Sequence, residues 1–146
     1  MTTKTTTLQL LATGLVLLAL AAGTPSAALA IDGSKPMICA VTTVMECDVE
    51  GKCQRITPQL HPDFPAFLRF DVPQKMITPA GNSADTTAGR KTEIKAVSRL
   101  DGKLVLYGGE NGRGWAATVA EDTGRMSAGI VTDTFAFNIF GACTSP

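Results

Sequence analysis

Residues 91–140, KTEIKAVSRLDGKLVLYGGENGRGWAATVAEDTGRMSAGIVTDTFAFNIF, contain a turn signal about every ten residues, a spacing typical of a β-meander. The signals are Asp101-Gly102, Asn111-Gly112, Thr123-Gly124 and the cluster Thr132-Asp133-Thr134. The segments between them alternate apolar and polar residues, as half-buried strands do. In the first segment this alternation predicts one inward face, and Val97 departs from it; the inward residues are Ile94, Ala96 and Leu100.

The half of the chain before residue 91 is less regular, because prolines confine any strand they touch to an edge or an end. The prolines between residues 58 and 79 are Pro58, Pro62, Pro65, Pro73 and Pro79. We predict strands at Phe67–Val72 and Lys75–Thr78, and a loop between Pro79 and Arg90, where small polar residues show no periodicity. No helix of three turns is predicted after residue 30.

These elements predict an all-β fold made of short antiparallel strands in one small domain. A meander of this kind closes most simply into a closed or nearly closed barrel of about eight strands. A two-sheet sandwich is the alternative architecture.

Residues 1–30 have the three parts of a cleavable secretory signal. Lys4 supplies a positive charge, residues 8–22 are apolar, and small residues end the segment at Ser26-Ala27-Ala28 or Ala28-Leu29-Ala30. Polar residues interrupt the apolar stretch and Pro25 ends it, which disfavours a membrane anchor. We therefore predict a single disulfide-bonded β domain over residues 31–146, located in the periplasm or secreted.

The charge balance argues against some classes of partner. The chain has 13 basic and 13 acidic residues, so loss of Lys4 leaves 12 against 13, a net charge of −1. A near-neutral surface disfavours a nucleic acid or an anionic membrane as partner. The first cysteine, Cys39, is far from the cleavage region, so we expect no lipid anchor, and we expect a monomer.

The four cysteines of an exported chain of this size predict two disulfides, with three possible pairings. Alternation in the first strand places Cys39 and Cys47 on one inward face, together with Val41 and Met45. The short turn over residues 48–52 favours a bond between Cys47 and Cys53. Cys39 then remains for Cys143, which would join the first strand to the last.

Candidate functional residues are few. The glycine-rich segment 108–114 predicts a hairpin tip, since a strand rather than a helix follows it. Arg113 and Trp115 share one face of that strand and form a candidate binding patch, although a lone tryptophan in a small barrel more often packs in the core. His61 is the only histidine, and its spacing from Cys47 and Cys53 matches no compact zinc site. We expect no metal, no cofactor and no catalysis.

These observations favour a non-enzymatic binding or accessory protein that recognises a protein or a small ligand through its loops. A structural component of the cell envelope and an inhibitor-like protein that binds an enzyme are the alternatives.

Four segments, together with the cysteine pattern, resemble a group of small exported proteobacterial proteins of unknown function. The segments are Pro65-Ala66-Phe67-Leu68-Arg69-Phe70-Asp71, Gly112-Arg113-Gly114-Trp115, Thr123-Gly124-Arg125-Met126 and Phe140-Gly141-Ala142-Cys143-Thr144. The resemblance covers nearly all of residues 31–146 and implies no activity.

A second similarity is to the membrane-bound inhibitors of c-type lysozyme, which are small exported barrels with a disulfide near their chain ends. Those inhibitors insert a Ser-Gly-x-x-Tyr loop into the lysozyme cleft. The only tyrosine here, Tyr107, follows Lys103-Leu104-Val105-Leu106, so this chain departs from that motif.

Overall fold

The computed structural model describes residues 31–57, 64–81 and 90–145, and in these ranges the chain is all β. No helix in the described part of the chain is long and apolar enough to cross a membrane. The strands found in these ranges are β1 Met37–Asp48, β2 Cys53–Ile56, β3 Phe67–Asp71, β4 Met76–Ala80, β5 Thr92–Leu100, β6 Lys103–Glu110, β7 Arg113–Ala120, β8 Arg125–Val131 and β9 Phe135–Thr144.

Eight of these strands close into an antiparallel barrel. From β3 to β9 each strand pairs with the next in the chain, β3 pairs with the first part of β1, and β9 pairs with β1 over most of its length. β2 pairs with the second part of β1 and lengthens the wall at one end. The predicted closed barrel is confirmed, and the sandwich alternative is excluded.

The predicted elements of the first half lie close to the observed ones. The strand predicted at Phe67–Val72 is β3, and the one predicted at Lys75–Thr78 is β4. The predicted loop begins later than Pro79, because Pro79 and Ala80 still pair with β3. Residues 82–89 of that loop, and the predicted signal over residues 1–30, lie outside the described residues.

A β-bulge in β1 reverses which side chains point inward. The pairing with β9 shifts between Val41 and Thr43, and beyond it Val44 is fully buried. An extra residue in one strand exchanges the two faces of everything that follows. The prediction that Met45 and Cys47 face the interior is therefore wrong, whereas Cys39 and Val41 are buried as expected.

A second bulge does the same in β5. Its pairing with β6 shifts between Ile94 and Ala96, so Val97 lies opposite the fully buried Leu106. Cross-strand partners lie on the same face of a sheet, so Val97 is on the inward face with Ile94, although its side chain is 38% exposed. The predicted inward positions of Ala96 and Leu100 are wrong, since Ala96 lies opposite the half-exposed Tyr107 and Leu100 is 64% exposed.

The N-terminal segment covers one end of the barrel. The Ile31 side chain is buried there, and its backbone N–H donates to the Glu121 carbonyl at 3.1 Å. The Arg99 guanidinium donates to the Asp32 carbonyl and forms an ion pair with Glu121 at 3.2 Å. These contacts close the end at which β1, β6 and β8 begin.

Two disulfides reinforce β1, in the pairing that the sequence favours. Cys39 and Cys143 are directly opposed on β1 and β9, so this bond joins the first and last strands of the barrel. Cys47 and Cys53 are opposed on β1 and β2 and close the hairpin between them. Two disulfides are consistent with an oxidising compartment outside the cytoplasm.

Candidate functional site

The barrel end opposite Ile31 contains an open cavity of about 390 Å³. Its wall is mostly aliphatic and aromatic, with charged side chains at the ends of the strands that form the mouth. The apolar side chains of the wall are Val41, Phe64, Pro65, Leu68, Phe70, Ile77, Pro79, Trp115, Ala117, Ala128, Ile130, Phe135, Phe137 and Ile139.

The cavity exists because two neighbouring inward positions are alanine. Ala117 on β7 lies opposite Ala128 on β8, in a ring of side chains that continues to Ile139 on β9. An eight-stranded barrel is only wide enough for ordinary side chains to fill its interior. Nearer the closed end, Val119 and Met126 occupy the corresponding positions and fill the barrel. The two methyl side chains therefore leave the space above that packed layer empty.

Trp115 forms one side of the cavity and is held by a specific hydrogen bond. Its indole Nε1 donates to the Thr92 hydroxyl on β5 at 2.9 Å, across the intervening strand β6. The crossing is possible because position 108 is glycine, and a Cβ there would lie 2.5 Å from Trp115 Cζ2. The bond satisfies the indole N–H and fixes the ring plane against the wall.

Three phenylalanines form another part of the wall. The rings of Phe135 and Phe137, on the same strand, meet edge to face with centroids 5.0 Å apart. Phe64 packs on Phe137 in the same manner at 4.9 Å. Edge-to-face pairs of this kind are favourable beyond the area they bury, so they fix the rings in place. They give the cavity a rigid aromatic side.

Charged side chains surround the mouth. Arg90, Lys91, Glu110 and Arg113 line both the apolar cavity and a second, polar recess of about 400 Å³ that continues from it. Glu46 also lines the apolar cavity, because the bulge in β1 turns it inward, and its carboxylate accepts a hydrogen bond from Gln54 Nε2 at 2.8 Å.

Two carboxylates outside the mouth have lowered pKa values. The pKa of Glu93 is lowered chiefly by the hydrogen bond and ion pair with Lys95. The pKa of Asp32, at the closed end, is lowered chiefly by hydrogen bonds from Ser34. Glu93 lies two residues after Lys91, but its carboxylate forms an ion pair with Lys95 instead.

The structure brings together both residues of the predicted binding patch. Arg113 and Trp115 line the same cavity, and Trp115 is half-buried in its wall. The glycine-rich segment forms the β6–β7 hairpin, with positive φ angles at Asn111 and Gly112, as predicted. His61 lies outside the described residues, and within those residues no group of three His, Cys, Asp or Glu side chains could hold a metal ion.

Sequence reasoning missed the cavity itself and several of its residues. Glu46 was missed because the bulge that turns it inward is not visible in the alternation of β1. Lys91 was missed because the alternation of its segment places it on the polar outer face, whereas it precedes β5 and lines the mouth. One signal was available, since Ala117 and Ala128 both fall at inward positions where the other strands have large apolar residues.

The chain matches no protein-family model, and comparisons with curated proteins and with solved structures found no match.

Proposed function

We propose that this protein is an exported, non-enzymatic binding protein that takes a small, largely apolar ligand into the open end of its barrel. The observation that carries the proposal is the cavity of about 390 Å³ with an apolar wall and polar groups at its mouth. Sites for small molecules are typically concave and mostly apolar, with a few polar groups that orient the ligand. Small barrels use their mouths in this way.

The proposed location is the periplasm or the extracellular medium. The signal-like segment over residues 1–30 and the two disulfides support it. In this setting the disulfides and the closed sheet give the cavity a rigid frame, so a ligand pays little to order its site.

The test is a titration of the protein purified from its own compartment with N-phenyl-1-naphthylamine, a neutral apolar dye that fluoresces when it leaves water. We expect saturable binding of one dye per chain. Because Trp115 is the only tryptophan and lines the cavity, its emission should fall in parallel as energy passes to the dye.

Two variants with the same substitution locate the dye. Ala128→Phe places a ring in the cavity and should abolish binding. Ala116→Phe places the same ring on the exposed outer face of the adjacent strand and should leave binding unchanged. Ala128→Leu is the milder variant if the phenylalanine disturbs folding, as circular dichroism would show. Full binding by a folded Ala128 variant, or no saturable binding by the native protein, would refute the proposal.

A further inference from the structure

We infer that the ligand of the barrel cavity is an amphipathic anion, with an apolar body inside the barrel and an acidic head group at Lys91 and Arg113. This inference rests on the proposed function, because it names the class of ligand that the same cavity takes. Two observations support it: the mouth of the cavity is positively charged, and the two side chains that would hold the head group form no ion pair with the rest of the described chain.

The polar recess above the apolar cavity is cationic. Apart from Arg90, which interacts elsewhere in the chain, the charged residues that line it in the described part of the chain are Lys91, Arg113 and Glu110, which gives a formal net charge of +1. The chain as a whole carries no net charge, so this excess is local. A recess lined by low-dielectric walls concentrates such a field and raises the local concentration of anions.

Lys91 and Arg113 are not occupied by acidic neighbours. Within the described residues, neither side chain forms a hydrogen bond or an ion pair with another part of the chain. The carboxylate nearest to Lys91 along the chain, Glu93, is paired with Lys95. Glu110 is the cross-strand partner of Arg113 but forms no ion pair with it. The carboxylate that enters the apolar part, Glu46, is held by Gln54. Both cations are therefore available to a ligand.

The positions of the two cations match a head group that lies just outside the apolar cavity. Arg113 lies two residues before Trp115 on the same strand face, toward the mouth. Lys91 directly precedes Thr92, the residue that holds the indole. A ligand whose apolar part contacts Trp115 thus places its polar end between these two side chains. A carboxylate or a phosphate accepts hydrogen bonds from both.

The experiment compares four probes with the same apolar chain and different heads: decanoate, decyl phosphate, decanol and decyltrimethylammonium. Each is titrated below its micelle concentration, at neutral pH and low salt, by displacement of N-phenyl-1-naphthylamine and by calorimetry. We expect decanoate or decyl phosphate to bind about threefold to tenfold more tightly than decanol, as two partly exposed ion pairs allow. The cationic probe should bind most weakly, and added salt should reduce the preference for anions.

The two anionic probes also separate the possible sources of the ligand. Tighter binding of decanoate indicates a fatty-acid-like carboxylate, and tighter binding of decyl phosphate indicates a phosphate ester such as a lipid fragment. Either result supports the inference.

The double variant Lys91→Gln/Arg113→Gln tests whether these two side chains produce the preference. We expect its ratio of decanoate to decanol affinity to fall to about one. The matched control, Lys103→Gln/Arg125→Gln, removes the same charge from exposed positions at the closed end and should keep the native ratio.

The results distinguish a failure of this inference from a failure of the proposed function. If decanol binds as tightly as both anions, the amphipathic anion is refuted while an apolar ligand stands. If the double variant keeps a native preference for anions, the position of the head group at Lys91 and Arg113 is refuted. If none of the probes displaces the dye and the dye itself does not bind, the proposed function fails as well.

Discussion

At the scale of single residues, the cavity depends on a position that has no side chain. A Cβ added at Gly108 would lie 2.3 Å from the Glu93 carbonyl oxygen as well as 2.5 Å from the Trp115 ring. The first contact would push β5 away from β6, and the second would displace the indole from Thr92. Glycine is therefore required at position 108 by the close packing of β5 and Trp115, and not by the turn that follows.

We expect Gly108→Ala to destabilise the protein by about 1–3 kcal/mol, the usual cost of forcing an extra methyl group into a packed site. The Trp115 emission should shift to longer wavelength as the ring loses its hydrogen bond and gains contact with water. Urea unfolding followed by fluorescence measures both effects.

Gly114→Ala is the matched control, because an added Cβ there meets Val131 Cγ2 at an ordinary 3.5 Å. It should change stability by less than about 0.5 kcal/mol, as surface substitutions usually do. Equal effects at the two glycines would contradict the packing argument.

Much of this residue-scale arrangement could be predicted from the chain, but the part that depends on cross-strand register could not. Arg113 and Trp115 share a parity on one strand, which places them on one face wherever the strand lies. The role of Gly108 requires knowing that Trp115 lies directly opposite it and that Thr92 lies beyond. Neither relation is local, so the glycine was assigned to the hairpin.

At the scale of elements, the meander could be predicted because each turn has its own local signal. The bulges could not, because one extra residue has no signal of its own and yet reverses a whole face. In β5 the bulge was visible in the sequence as the departure of Val97 from the apolar–polar alternation. In β1 it was not visible, because the apolar Met45 continues the alternation across the bulge. Glu46 enters the cavity for this reason.

The weakest seam of the barrel lies between β4 and β5, beside the cavity. In the described chain two residue pairs join these strands, Met76 with Glu93 and Ile77 with Thr92, and a backbone bond from Ile94 to Lys75 extends the seam. β6 and β7 pair over their whole lengths. Local opening follows the number of interactions that must break, so this seam should open first.

We expect the amides of residues 76–78 and 92–94 to exchange with deuterium faster than those of β6 to β9. Bound N-phenyl-1-naphthylamine should slow this exchange, because Ile77 and Thr92 line the cavity. Hydrogen exchange with and without the dye, read by mass spectrometry, measures both. The interpretation fails if the seam exchanges as slowly as the hairpin of β6 and β7.

At the scale of the whole molecule, the two ends of the barrel differ in packing: one is filled and closed, and the other contains the cavity. The closed end contains the packed layer and the buried disulfide between Cys39 and Cys143, and Ile31 covers it. The open end contains the empty volume above Ala117 and Ala128. An empty apolar volume costs stability, since its lining lacks the contacts that a filled core makes. A substitution at the closed end should therefore change stability and leave binding unchanged, whereas filling the open end should raise stability and weaken binding.

Two substitutions make this division measurable. Ile31→Ala removes a buried side chain from the closed end and should lower the free energy of unfolding by about 2–5 kcal/mol. The affinity of the folded protein for N-phenyl-1-naphthylamine should stay within about twofold, because the cavity lies at the other end. Ala128→Leu should raise stability by about 1–2 kcal/mol through the added buried carbons, while it weakens binding.

Urea unfolding and dye titration on the same two proteins give both quantities. If Ile31→Ala weakens binding as strongly as Ala128→Leu does, the ends are coupled and the division between scaffold and site is wrong. If Ala128→Leu lowers stability, the space above the two alanines is not an empty volume that a side chain can fill. Higher stability together with weaker binding in Ala128→Leu would mean that the barrel gives up stability at its open end to keep room for a ligand.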